Sequence, residues 1–186
     1  MTDDGSSDSP RARVRPLLRT RQIREFTPDP LRDDELDAIV EAARWTGSSR
    51  NEQAWRFIVV RDEAALRRFA ELGLPQTRSL RTASAAIAIV LPDEPDAAIS
   101  RAYDEGRAAE RMLVASTLLG LGAGIAWIRP DVLPAAREVL GLPEDRLVRT
   151  IVAVGHPSEA ALRPKSAPGQ ARLSRDEVVF AERWPG

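Results

Sequence analysis

Between Arg111 and Arg129 no side chain is charged, while the ten residues before that run mix charges with small side chains. Ala102, Gly106, Ala109, Leu113, Ser116 and Gly120 are spaced by fours and threes, which predicts one face of a helix. That face is nearly all small, so a second helix or a flat ligand can come close, and Asp104, Arg107, Glu110 and Arg111 fall on the remaining surface. Gly120, Gly122 and Gly124 stop the helix and break the apolar run below the about 20 residues of a membrane span. Because these glycines follow a helix instead of opening one, they do not form a dinucleotide-binding loop.

The same periodicities place the other elements. Residues 35–44, capped by Asp33 or Asp34, form a helix that buries Leu36, Ile39, Val40 and Ala43. Residues 11–20 form a short basic helix with Val14, Leu17 and Leu18 inward, and residues 21–26 are extended, with Ile23 and Phe26 in the core and the guanidinium groups projecting together. Strands are expected at 56–60, 83–91, 123–128 and 147–154, and the continuously apolar 83–91 belongs in the sheet interior. Helices are expected at 62–72 and 130–140, with an irregular polar connection at 73–81. From about residue 158 the periodicity fades, yet Val178, Val179, Phe180 and Trp184 remain, as in an arm lying on a partner subunit.

Composition narrows the function. A length of 186 residues suits one domain, residues 11–186, behind an acidic tail of small residues at 1–10 that reads as disordered and lacks a signal-peptide core. With 27 basic and 28 acidic residues the net charge is −1, which offers no global field for nucleic acid or an anionic membrane. Lys165 is the one lysine, so arginine clusters are common here and weak as signals. The absence of cysteine excludes disulfides and thiolate chemistry, and the single histidine, His156, argues against a catalytic triad or a histidine-rich metal site. A cytoplasmic protein is expected. Chemistry concentrates in residues 48–55, where Asn51, the sole asparagine, stands beside Ser48, Ser49 and Gln53. Such a loop offers the donors and acceptors a flat heterocycle needs, and the competing reading is a turn satisfied by its own Asx and Ser side chains.

These stretches, in this order, resemble the nitroreductase family of flavin mononucleotide (FMN) enzymes from about residue 19 to 179. The family's Arg-Arg-Ser-x-Arg opening is similar to Thr20-Arg21-Gln22-Ile23-Arg24, and its Pro-Ser-Ser-x-Asn-x-Gln-Pro-Trp loop matches at Ser48, Ser49, Asn51, Gln53 and Trp55. Asp104, Gly106, Ala108 and Gly120-Leu121-Gly122 reproduce the central-helix signature, whereas Gln22, Ala54, Arg111 and Pro130 depart from the family pattern.

The resemblance implies an α+β fold with a mixed, mainly antiparallel sheet flanked by helices, and a long central helix at the interface of an intertwined homodimer. It further implies that Arg21, Gln22 and Arg24 face the phosphate, ribitol and pyrimidine end of FMN, that Ser48, Ser49 and Asn51 reach it from the other subunit, and that Ile128 and Arg129 lie along the ring. Lys165 and Arg172 are the implied phosphate partners. The implied activity is hydride transfer from NADH or NADPH to FMN and then to a nitroaromatic or quinone, in two half reactions at one place. Other readings are an oxygen-using, dimethylbenzimidazole synthase-like member that fragments its flavin, a silent flavin carrier, and a helical interaction module.

Overall fold

The computed structural model describes residues 9–167, 170 and 172–184. Two short helices, α1 (Pro10–Arg13) and α2 (Arg15–Arg19), lead through the extended residues 21–26 to α3 (Asp33–Arg44). Ser9 caps α1 by accepting the Ala12 N–H at 3.2 Å, so residues 9 and 10 of the tail expected at 1–10 already belong to structure, and its residues 1–8 lie outside the described residues. α3 starts two residues before the expected 35, capped at Arg32 instead of Asp33 or Asp34, with Asp33, Asp34 and Glu35 in its first turn and the Glu35 carboxylate taking the Arg32 N–H at 2.9 Å.

Strand β1 (Arg56–Val60) is followed by α4 (Glu63–Leu72), which Asp62 caps by accepting the Ala65 N–H at 2.7 Å. Then come β2 (Ala85–Pro92), the 21-residue α5 (Ala98–Leu118), β3 (Gly122–Trp127), α6 (Leu133–Leu140) and β4 (Arg146–Gly155). The strands stand in the order β1-β2-β4-β3. Every neighbouring pair is antiparallel, so the expected mixed sheet is antiparallel throughout its four described strands. The continuously apolar β2 and the largely apolar β4 occupy its interior, as their burial on both faces requires.

Side-chain alternation divides the core in two. Ile87, Ile89, Leu91, Val152 and Val154 meet α3 and α5 on one face, while Ala86, Ala88, Ile151 and Ala153 meet α4 and α6 on the other. Ile23 and Phe26 are buried as expected. Val14, Leu17 and Leu18 are not, and Leu18 is 65% exposed, because α2 lies on the chain with its apolar side to solvent.

α5 differs in phase from its sequence reading. Ala109, Leu113 and Ser116 are buried, but Ala102 and Gly106 are exposed, and the stripe facing the sheet instead takes in Arg101, Asp104 and Glu105. Beyond the sheet, α7 (Glu159–Leu162) and α8 (Arg175–Val178) are single turns in an exposed C-terminal segment where Phe180 and Trp184 pack edge to face at 5.0 Å.

Candidate functional site

Residues 21–26 are held along the free edge of β3. The Ile23 N–H donates to the Ala123 carbonyl at 2.8 Å, and Gln22 Oε1 accepts the Ile125 N–H at 3.3 Å and Arg24 Nη2 at 2.9 Å. Glycine permits this approach: a Cβ on Gly124 would stand 2.0 Å from the Ile23 carbonyl oxygen, and one on Gly122 would stand 2.8 Å from Ile23 Cγ2. Phe26 completes the anchorage by bridging to Pro157 and giving its N–H to Thr82 Oγ1 at 3.2 Å.

Gln22 and Arg24 thereby line a cleft of about 410 Å³ with Pro75, Gln76, Arg78, Ile125 and Trp127. Ile125 and Trp127 give it an apolar wall, the indole being 46% exposed. Arg24 and Arg78 form no ion pair among the described residues, so their charge is free for a ligand. Trp127, Gln76 and Arg78 escaped the sequence reading. Strand alternation could have revealed Trp127, which shares a side with Ile125; nothing local marks Gln76 or Arg78.

The loop at 48–53 is built differently. Arg50, Asn51 and Gln53 have φ of 49°, 57° and 49°, the left-handed region that non-glycine residues seldom adopt. Ser48 Oγ accepts the Gln53 N–H at 2.9 Å, and Asn51 Oδ1 accepts Gln53 Nε2 at 3.2 Å. The helix α5 grips the turn from below. The Ser49 N–H lies 3.1 Å from each carboxylate oxygen of Asp104, itself only 3% exposed, and Arg101 reaches Glu52 at 2.6 Å and Glu94 at 2.8 Å. The Arg101 hydrogen bond pulls the Glu52 carboxyl below its ordinary pKa, and Glu94, then Glu52, raise that of Arg101. None of residues 48–55 lines the cleft, and within one chain loop and cleft share no hydrogen bond among the described residues.

The remaining candidates scatter. Arg21 donates to the Leu162 carbonyl at 2.6 Å, away from Arg24, so the two guanidinium groups do not project together. Ile128, 1% exposed, turns its side chain into the core and gives its N–H to the Arg149 carbonyl at 2.8 Å; the flat surface at this end of β3 is Trp127. The Arg129 guanidinium holds Asp131 at 2.8 and 3.1 Å. Lys165 and Arg172 lie in the exposed C-terminal segment, apart from the cleft lining. Among the described residues no cluster of acidic or histidine side chains is placed to hold a metal ion, and no helix is long and apolar enough to cross a membrane.

A protein of Archaeoglobus fulgidus described as an NADH dehydrogenase/NAD(P)H nitroreductase is 33% identical over 153 residues, covering 77% of this chain and 84% of its own. The chain belongs to the nitroreductase family. The family model itself matches residues 17–91, which include both the 21–26 segment and the 48–53 loop. Among other nitroreductase relatives, the FMN reductase (NADPH) of Bacillus subtilis is 27% identical over 177 residues, covering 85% of this chain and 71% of its own. The solved FMN-dependent nitroreductase of Clostridium difficile superposes with a TM-score of 0.75 at 25% identity, covering 90% of this chain and 98% of that one.

Proposed function

We propose that this chain is an FMN-dependent NAD(P)H oxidoreductase which passes hydride from a reduced nicotinamide to an electron-poor acceptor, a nitroaromatic or a quinone, in two half reactions at one place. The cleft along β3 carries the reading: an apolar wall of Ile125 and Trp127 lies beside two guanidinium groups that have no carboxylate partner among the described residues. That combination fits a planar, phosphorylated ring system, because the wall takes the flat face and the cations take the negative charge.

Gln22 and Arg24 would hold the ring at this cleft, with the Arg129 backbone at the end of β3. Arg21, Lys165 and Arg172 would serve the phosphate, and Ser48, Ser49 and Asn51 would arrive from a second subunit. The flavin, when bound, supplies the hydride chemistry. What the chain adds is binding and charge: Arg24 and Arg78 favour the more negative reduced form, and Trp127 keeps water from one side of the pocket. No protein acid or base is required.

A homodimer working in the cytoplasm completes the reading. Support for association comes from apolar surface that one chain leaves uncovered, on α5 at Ile99, Tyr103 and Leu118, on α2 at Leu17 and Leu18, and in the C-terminal segment at Val178, Phe180 and Trp184.

The test begins with colour. Purified protein is expected to be yellow and to release FMN on denaturation; NADH or NADPH should bleach it without oxygen, and a quinone or nitroaromatic should restore the colour. A colourless protein that takes up no FMN refutes the proposal. Bleaching without reoxidation by either acceptor class refutes the acceptor assignment alone.

A further inference from the structure

We infer that Asp104, acting beside Arg101 one turn earlier on α5, is a positioning residue that sets the shape of the 48–53 loop and through it the affinity for FMN. The inference rests on the functional reading above. Asp104 touches no residue of the cleft lining; its carboxylate is buried and both oxygens converge on one backbone group, the Ser49 N–H, at 3.1 Å. Among the described residues its only cation within ion-pair distance is Arg107, at 3.9 Å. Hiding a charge for one N–H is an expensive way to fill space, and it is expected only where the geometry of that N–H matters.

The loop needs such a hold. Arg50, Asn51 and Gln53 all have left-handed φ without being glycine, a conformation that costs free energy at each position and persists only when its surroundings impose it. Asp104 fixes the turn at Ser49, and Arg101 fixes it at Glu52, 2.6 Å away, so two successive turns of one rigid helix clamp both ends. Between the clamps, Arg50 and Asn51 are exposed. Arg50 pairs with Glu52 at 3.0 Å and Asn51 Oδ1 accepts Gln53 Nε2 at 3.2 Å, so these contacts and the two clamps together hold the exposed side of the turn in one shape.

The test uses the full-length protein stripped of FMN and titrated by quenching of flavin fluorescence, together with chemical denaturation of the stripped protein and amide hydrogen exchange over residues 49–53. Asp104→Asn is expected to weaken FMN binding about 10- to 100-fold, as for loss of a hydrogen bond to a charged group, and to speed exchange at residues 49–53. The denaturation midpoint should move little. Arg101→Gln should do the same more weakly. Asn51→Ala serves as the reference because it removes a loop group while leaving the clamp intact.

If Asp104→Asn keeps wild-type affinity while Asn51→Ala loses it, the positioning role is overturned and the functional reading stands. If neither variant affects binding, the loop is not at the cofactor and both fall. Weakened binding that merely follows lost stability, without faster exchange at residues 49–53, also overturns the role; should Asp104→Ala fail to fold, Asp104→Asn decides alone.

Discussion

The two stretches that carry the family's polar signatures, residues 21–26 and 48–53, are held in place by opposite means. The first rests on main-chain hydrogen bonds to a strand edge and on two glycines that let backbone touch backbone. The second is strained in its own backbone and is clamped by charged side chains from α5. A steric anchor tolerates changes of salt and pH but no added atom, whereas an electrostatic clamp accepts changes of shape and responds to charge. The contrast is that sterics fix the first half of the candidate site and charge fixes the second.

The sharpest way to break the contrast is Gly124→Ala, whose new Cβ would stand 2.0 Å from a carbonyl oxygen that cannot swing away. It should cost about 3 kcal/mol of stability in urea denaturation and displace Gln22 and Arg24, since overpacking against fixed backbone is seldom absorbed. Next in size, Arg24→Ala and Asn51→Ala should each loosen FMN by about 1 to 3 kcal/mol in fluorescence titration. Equal losses would show both halves meeting one ligand.

Arg101→Gln should lower stability only slightly, because Glu52 and Glu94 are partly exposed and screened. In the wild type, Arg101 holds the Glu52 pKa below its ordinary 4.5, so this contribution is present above that value and disappears as pH falls through the lowered pKa. Denaturation midpoints measured down the acid limb, with and without the substitution, should converge there.

The smallest effect is a control on the helix itself. Glu105, beside Asp104, is buried, one of its oxygens has no hydrogen-bond partner, and desolvation raises its pKa above 4.5 although Thr150 and Arg149 pull it down. The native state therefore holds this proton to higher pH than the unfolded chain, and the stability that confers declines as pH rises through the native pKa. Glu105→Gln should melt with the wild type near pH 4 and above it at pH 7.5. FMN affinity should stay unchanged, because Glu105 faces β4 and not the loop.

Part of the candidate cleft could be read from the sequence. Gln22 and Arg24 were named, and the burial of Ile23 and Phe26 was visible, because the alternation of polar and apolar residues in 21–26 is a local property. Trp127, Gln76 and Arg78 were not, since their meeting with Arg24 depends on how the connection at 73–81 and the end of β3 stack across the sheet edge. That Arg21 turns away from Arg24 has the same cause: its partner, Leu162, lies 141 residues away.

The sequence alone determined the order of helices and strands and the place of β2 in the sheet interior, because periodicity and apolar runs are local properties that each segment carries with it. Only the tertiary structure decided the rotation of α5. A helix turns whichever face the sheet and the 48–53 loop satisfy, and here hydrogen bonds between residues 49 and 55 positions apart repay the burial of Arg101 and Asp104, a repayment no local spacing reveals.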